Sequence, residues 1–270
     1  MGIGRRQGVL SPFHLALAFL GGVILLFILA PLGTMFLHTS AGEIKSTLGE
    51  AAVRESIVFT IITAMGSVLI FAIFALPLAW LIARRDFPGK VLVTAIIDLP
   101  IVIPHSAAGI ALLTIFARDT LLGRTAEGLG FSFVSHRAGI MMAMAFVSLP
   151  HLMHSAILGF ASVPERLEKA ALNLGASPMR VFFTISLPLA WRHILTGFIM
   201  MWARGMSEFG AVIFIAYHPM VTPVMIFERF GAYGLKYARP VAVVFVTVSL
   251  VFFVIVRVLG GRRVTDVDHR

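Results

Sequence analysis

The sequence has 270 residues, of which 59% are hydrophobic and 13% are charged. Water-soluble domains are usually about half apolar and about a quarter charged, so this composition excludes an ordinary soluble domain. The formal net charge is +9, and the basic residues lie in short loops. This distribution argues against nucleic-acid binding and favours contact with anionic lipid. The absence of cysteine leaves the redox compartment open.

The sequence predicts an all-α, polytopic membrane protein with six transmembrane helices in a single domain, residues 1–270. A helix needs about 20 apolar residues to cross a bilayer, and six runs are long enough. They lie between Arg6 and Glu43, and at Ser56–Ala83, Val91–Ala117, Ala138–Ala161, Ile194–Tyr217 and Pro240–Val256. A cleaved signal peptide is the alternative for the first run, but that run exceeds the roughly 7–15 apolar residues of a signal peptide.

The distribution of Lys and Arg predicts that both termini are cytoplasmic. In that orientation the inner segments contain 13 basic residues, namely Arg5, Arg6, Arg84, Arg85, Lys90, Arg166, Lys169, Arg180, Arg192, Arg257, Arg262, Arg263 and Arg270. The outer segments, at about 38–54, 118–137 and 218–238, contain eight, namely Lys45, Arg54, Arg118, Arg124, Arg137, Arg229, Lys236 and Arg239.

The third run predicts a broken helix that lines a pathway. Pro100 and Pro104 remove backbone hydrogen bonds, and His105 and Ser106 add polar groups directly after the second proline. Freed backbone groups inside a membrane need water or protein partners. A simple packing kink is the alternative.

In the fourth run, two histidines three residues apart, His151 and His154, suggest a shared helix face. No third ligand lies nearby in sequence, so no metal site is predicted. The sequence also contains no nucleophile with an adjacent base and no paired carboxylates of a hydrolase, so no enzymatic activity is expected.

The longest inner segment, about 162–192, predicts two short helices at an angle. Ser162 is suited to be an N-cap and Gly175 to end a helix over Pro164–Leu174. Ser177 and Pro178 then allow a second helix to begin. Such a segment forms a knob that fits a groove on a partner protein, although an amphipathic helix on the membrane surface remains the alternative.

The fifth run contains ionisable residues at mid-depth, where they are costly and therefore mark function. Arg204 and Glu208 are four residues apart, which predicts one helix face. With the third helix they predict a gate formed by Pro100, Pro104, His105, Ser106, Arg204, Ser207, Glu208, Phe209 and Gly210. A structural ion pair is the alternative.

The inner segment resembles the EAA motif of permeases of ATP-binding-cassette importers. Ala170, Ala171 and Gly175 match, followed by Ile185, Leu187 and Pro188, while Lys169 occupies the acidic position and Glu168 precedes it. The resemblance implies coupling to an ATPase through Glu168, Lys169, Ala170, Ala171, Gly175, Pro178, Ile185 and Pro188.

The resemblance also implies a type I importer fold in the cell membrane, a homodimer, separate ATPase subunits and an extracytoplasmic substrate-binding protein. The chain lacks the G-x-x-x-x-G-K-[ST] motif, so the partner ATPase would bind ATP and Mg²⁺ and this chain would need no cofactor.

The stretches SEFGA, AYHPM and IFERF resemble the molybdate, tungstate and sulfate branch, and molybdate or tungstate is the expected substrate. A sulfate/thiosulfate permease is one alternative. A gradient-driven secondary transporter that uses Asp98 and Glu208 is another.

Overall fold

The computed structural model describes residues 12–261, and every regular element in that range is helical. The helices are α1 (Pro12–Leu37), α2 (Ala41–Gly49), α3 (Ala51–Arg84), α4 (Lys90–Val102), α5 (His105–Phe116), α6 (Leu121–Gly128), α7 (Arg137–Ser162), α8 (Glu165–Asn173), α9 (Pro178–Val181), α10 (Leu187–Met206), α11 (Val212–Ile215), α12 (Thr222–Tyr233) and α13 (Leu235–Gly261), with a π-helical turn at Phe182–Ser186. The terminal residues used in the prediction of orientation, Arg5, Arg6, Arg262, Arg263 and Arg270, lie outside the described range.

Five helices are long and apolar enough to cross a membrane: α1, α3, α7, the continuous helix Pro178–Met206 and α13. Helices α4 and α5 together form a sixth candidate, bent by 114°. Lys90 at the start of α4 shares a cavity with Ala161 at the end of α7. Phe116 at the end of α5 stacks on Phe133, just before α7, with 4.5 Å between ring centroids. The bent pair therefore passes from one end of α7 to the other, which makes it a broken span and confirms the predicted fold class.

Helices α3, α7 and α10 form the centre of the bundle, and small residues let them approach closely. A Cβ added to Gly197 on α10 would lie 2.8 Å from Ser155 Cβ on α7. A Cβ added to Gly159 on α7 would lie 2.7 Å from His193 Cβ on α10. On α3, Ala72 and Ala79 are among several buried alanines. Dispersion contacts between closely packed helices hold this bundle together, since lipid tails are as apolar as the core.

Helix α1 differs from the other spans because none of its side chains is buried. Its residues are apolar on nearly every side, which is typical of a helix surrounded by lipid or by another subunit. It packs weakly against α13. The first predicted span is therefore present as a long helix at the periphery.

The two ends of the bundle are marked by different ion pairs. At the predicted outer end, Arg229 of α12 pairs with Glu50 between α2 and α3. At the predicted inner end, Arg84 pairs with Glu168 of α8. The three outer segments contain the short helices α2, α6 and α12.

Candidate functional site

The inner segment, which we call the coupling segment (residues 162–192), forms the predicted angle between two short helices. Gly175 has φ of +86°, in the left-handed region that favours glycine. Its N–H donates to the Leu172 carbonyl at 2.9 Å, and the Ala176 N–H donates to the Ala171 carbonyl at 3.0 Å. These two bonds form a Schellman motif, which ends α8 and redirects the chain.

The N-terminal caps of the coupling segment agree only in part with the prediction. Ser177 caps α9, because its hydroxyl accepts from the Arg180 N–H at 3.3 Å. The N-cap prediction for Ser162 is wrong: this residue is the last of α7, and its hydroxyl donates to the Gly159 carbonyl at 2.7 Å. Pro164 occupies the N-cap position of α8. Because α7 continues to Ser162, this hydroxyl bonds to a carbonyl of α7 and does not cap α8.

Glu168 is a residue of α8, and its buried side chain joins α8 to two other elements. Its carboxylate accepts from Arg84 Nε at 3.0 and 3.1 Å and from Arg84 Nη2 at 2.9 Å. It also accepts from the Ser186 hydroxyl at 2.7 Å. Arg84 Nη2 in turn donates to the Val163 carbonyl at 2.8 Å. Glu168 therefore ties α8 to the end of α3 and to the π-helical turn, and faces the interior of this chain.

Lys169 and the alanines face outward. Lys169 Nζ lies 2.8 Å from Glu165 Oε2, and both side chains are exposed. This hydrogen bond lowers the pKa of the Glu165 carboxyl below its usual value. Ala170 is exposed and Ala171 is half-buried. Leu174 and Met179 are the most exposed apolar side chains here, at 89% and 74%. The outer surface of the coupling segment is thus a small apolar patch beside an ion pair.

The Ile-x-Leu-Pro part of the motif lies where the π-helical turn meets α10. The Leu187 N–H donates to the Phe182 carbonyl, five residues earlier. Pro188 has no N–H, and its ring disfavours the regular bond pattern in the preceding turn. Ile185 is half-buried and Pro188 is exposed. The π-helical turn accommodates the altered hydrogen-bond pattern before Pro188, so one helix continues from Pro178 to Met206.

Two breaks in the predicted gate face each other near the middle of the bundle. Helix α4 ends at Val102, and α5 begins at His105, directly after Pro104. Proline disfavours helical geometry in the preceding residue, and Ile103 is extended accordingly. Helix α10 ends at Met206, so the prediction of one helix through Tyr217 is wrong. Glu208 lies in the non-helical turn that follows.

His105, Arg204 and Glu208 form what we call the central cluster. Glu208 Oε2 lies 3.0 Å from Arg204 Nη1 and 3.2 Å from His105 Nδ1. Arg204 Nη2 lies 2.8 Å from His105 Nε2. Glu208 Oε1 accepts from the Ala211 N–H at 2.8 Å. The Glu208 side chain is fully buried, while those of Arg204 and His105 are 25% and 41% exposed. The cluster therefore connects the two broken helices through a buried carboxylate.

The backbone at the cluster is packed too closely for larger side chains. A Cβ added to Gly210 would lie 2.7 Å from His105 Cβ. A Cβ added to Gly109 on α5 would lie 2.8 Å from the Ala211 carbonyl oxygen. Helix α5 thus rests directly on the turn between α10 and α11.

The remaining predicted gate residues surround the cluster, and the Ser207 hydroxyl contacts it, since Arg204 Nη1 donates to Ser207 Oγ at 3.5 Å. The Ser207 hydroxyl donates to the Arg204 carbonyl at 3.0 Å. Phe209 stacks on Phe227 of α12, with 4.8 Å between ring centroids. Pro100 is buried within α4, whereas Ser106 is exposed.

The pairing of two polar residues in the spans was not evident from the sequence. Asp98 Oδ1 lies 2.6 Å from His154 Nε2, so α4 and α7 are joined by a polar pair. Within residues 12–261 no three His, Cys, Asp or Glu side chains come together as a metal site. An acid in an apolar run signals the need for a partner, but the sequence did not identify that partner.

Comparison with known proteins decides the family. Residues 75–264 match the profile of the binding-protein-dependent transport system inner membrane component. The chain belongs to this family. The permease is 42% identical to a molybdate/tungstate transport system permease protein of Thermococcus kodakarensis, over 91% of this chain and 95% of the relative. It is 32% identical to a sulfate transport system permease protein of a Synechocystis strain, over 76% and 73% of the two chains.

The fold of the permease is similar to that of a solved importer. The TM-score is 0.72 against a chain of a bacterial ABC transporter involved in the import of the acidic polysaccharide alginate. The match covers 94% of this chain and 96% of the other, at 17% sequence identity. At that identity the likeness concerns the fold alone, and it agrees with a multi-pass inner-membrane permease.

Proposed function

We propose that this chain is the permease subunit of an ATP-driven importer that carries molybdate or tungstate. Coupling to an ATPase is inferred from one observation. The Schellman turn of the coupling segment presents an exposed apolar patch, while Glu168 anchors the segment to two spans. The substrate part is supported by the 42% identity to a molybdate/tungstate permease.

In this proposal the permease is a homodimer with both termini in the cytoplasm. Two ATPase subunits dock on the coupling segments and bind ATP and Mg²⁺, and a substrate-binding protein docks on the outer side. The chain itself catalyses no reaction and needs no cofactor. The residues assigned to ATPase contact are the exposed Lys169 and Ala170 and the half-buried Ala171, with Gly175 and Pro178 setting the angle.

A continuous helix between the coupling segment and the central cluster supports the proposed coupling. The helix from Pro178 to Met206 is continuous and carries Arg204 in its last turn. At about 1.5 Å per residue, such a helix spans roughly 40 Å. Because Glu168 binds both Arg84 and Ser186, a displacement of α8 also moves the start of this helix. A movement of the coupling segment would therefore reach the Arg204–Glu208 contact along one continuous helix.

A gradient-driven carrier is the second candidate, because Asp98 and Glu208 are acids at bilayer depth. Both acids are paired, with His154 and Arg204 respectively. The family is binding-protein-dependent, and we therefore favour the ATP-driven importer.

The substrate assignment predicts the outcome of a competition experiment. The permease, its ATPase and its binding protein are reconstituted in proteoliposomes, and ATP-dependent uptake of labelled molybdate is measured. We expect excess tungstate to suppress uptake strongly and sulfate to suppress it weakly. Equal suppression by sulfate, or transport of sulfate alone, would instead support the sulfate alternative.

Replacement of Gly175 tests the angle of the coupling segment. We expect Gly175→Val to reduce ATP-dependent uptake roughly tenfold, since a left-handed conformation costs an L-residue about 1–2 kcal/mol. No heavy atom lies within 4 Å of an added Cβ, so the effect is conformational and the dimer should still insert. Gly175→Asn is the matched control, because Asn tolerates this conformation. Wild-type uptake by the Val variant would count against the docking role.

A further inference from the structure

An apolar groove of about 700 Å³ lies between α1, α12 and α13, and we call it the peripheral groove. It is lined by residues 31–38 of α1, 223–230 of α12 and 235–242 of α13. On each helix the lining residues recur three or four positions apart, so each helix contributes one face. At about 1.5 Å per residue these faces are roughly 10 Å long. The groove therefore extends along the outer ends of α1 and α13.

The described part of the chain does not fill the peripheral groove. No side chain of α1 is buried, and Phe227 and Phe230 of α12 are 51% and 55% exposed. The volume lies within the roughly 300–1,000 Å³ that is typical of ligand sites. In a membrane, an open apolar groove of this size requires an apolar occupant.

Arg239 places a positive charge inside this apolar groove. Its Nε–H is buried and has no hydrogen-bond partner among residues 12–261. An unpaired buried donor is costly, and more so when its group is charged. A guanidinium binds phosphate oxygens through two parallel N–H groups. The unpaired donor in the groove therefore favours an occupant with a phosphate group.

Glu43 is the carboxylate whose charge interacts with that of Arg239, but it is bound elsewhere. The Ser40 N–H and hydroxyl donate to Glu43 Oε2 at 2.7 and 3.0 Å. These hydrogen bonds lower the pKa of the Glu43 carboxyl below its usual value, and the charges of Arg239 and Lys236 lower it further. Glu43 thus leaves the Arg239 Nε–H available to another anion.

Two tyrosines indicate that Arg239 lies close to the level of the lipid headgroups. Tyr233 and Tyr237 are 67% and 57% exposed, and their ring centroids are 5.7 Å apart. Tyrosine is enriched at the membrane–water interface. Arg239 follows Tyr237 by two residues, which is about 3 Å along the helix, and an arginine side chain can extend toward the interface. Below Arg239 the groove continues along α13 to the apolar Ala242.

We propose that the peripheral groove binds an anionic phospholipid, with its phosphate at Arg239 and an acyl chain between α1 and α13. The bound lipid joins the peripheral helix α1 to the bundle, which the protein's own contacts do only weakly. It also contacts Phe209, which lines the groove and stacks on Phe227 next to Glu208 of the central cluster. The lipid is therefore a structural ligand of the permease, separate from its transported substrate.

Native mass spectrometry of the purified full-length permease tests this inference. The protein is titrated in detergent with phosphatidylglycerol or with phosphatidylcholine of the same acyl chains, and bound lipids are counted at each concentration. Both lipids contain a phosphate, but only phosphatidylglycerol has a net negative charge. We expect phosphatidylglycerol to bind about tenfold more tightly, because its charge is not offset by a choline group.

Variants of the α13 cations test the role of the charge. Arg239→Gln should weaken phosphatidylglycerol binding about tenfold and remove the preference over phosphatidylcholine. Arg239→Lys retains the charge and should retain part of the preference. Lys236→Gln is the matched control: it removes the same charge from an exposed position outside the groove, and the preference should remain.

Thr34→Phe tests the apolar part of the groove without relying on Arg239. Thr34 lines the groove from α1, and it is exposed, so the variant should fold like the wild type. The larger side chain occupies the space of the acyl chain, and we expect weaker retention of both lipids. This variant decides the question if Arg239→Gln fails to fold.

Three results would overturn the inference. The first is equal affinity of the wild type for the two lipids. The second is unchanged lipid binding by Arg239→Gln or by Thr34→Phe. The third is loss of the dimer in either variant while lipid retention stays at the wild-type level, since the same spectra report the number of copies. That third outcome would assign the groove to an interface with a second copy of the chain.

Discussion

Glu168→Ala is expected to uncouple the transporter. The Arg84 and Glu168 side chains are only 7% and 9% exposed, and removal of one partner of a buried ion pair costs about 3–5 kcal/mol. Without the carboxylate, α8 loses its connection to both α3 and the π-helical turn. We expect ATP-dependent uptake to fall by more than about tenfold, while the ATPase subunits retain their ATP hydrolysis. The measurement is uptake and hydrolysis in the same proteoliposomes.

The controls separate the buried pair from the exposed surface. Glu165→Ala removes an exposed carboxylate from the same helix, and its loss should change uptake little because water screens that pair. Combining Glu168→Leu with Arg84→Met removes both charges, and this double variant should recover stability relative to Glu168→Ala. Wild-type uptake by Glu168→Ala would contradict the proposed role of this residue.

Glu208→Ala is expected to destabilise the central cluster and abolish controlled transport. The substitution leaves Arg204 without its carboxylate at bilayer depth and removes the acceptor of the Ala211 N–H. The cost should lie toward the lower end of about 3–5 kcal/mol, because Arg204 is partly exposed. We expect a lower melting temperature of the solubilised permease and loss of ATP-dependent uptake.

Glu208→Gln tests whether Glu208 stabilises the central cluster or selects the substrate. The amide oxygen can still accept from Ala211, so this variant should be more stable than Glu208→Ala while its uptake remains impaired. Its preference between molybdate and sulfate should match that of the wild type. A switch in anion preference would show that Glu208 selects the substrate rather than controls the gate. Glu228→Gln on α12 is a control for an exposed acid and should leave the melting temperature unchanged.

The sequence was informative where local chemistry decides the structure. Long, mainly apolar runs predicted the spans, because a helix that crosses the hydrocarbon needs about 20 mainly apolar residues. Gly175 and Ser177 predicted the turn in the coupling segment, since left-handed glycine and serine caps act within a few residues. The proline-rich third run likewise predicted a broken helix.

Long-range packing decided the features that the sequence left open. Glu168 was predicted at the partner surface, but Arg84 lies 84 residues earlier and draws the carboxylate into the interior. The end of α10 before Glu208 has a similar cause, because that carboxylate binds the Ala211 N–H and His105. No local pattern specifies such contacts. The size of the bend between α4 and α5 also depends on how α5 packs against α11.

In the proposed mechanism another subunit moves the coupling segment to open the membrane path. The most direct test is molybdate uptake by the reconstituted permease and binding protein with and without the ATPase subunit. We expect uptake only when the ATPase and hydrolysable ATP are both present. Uptake that continues without the ATPase and follows an imposed ion gradient would contradict this account and favour the gradient-driven carrier.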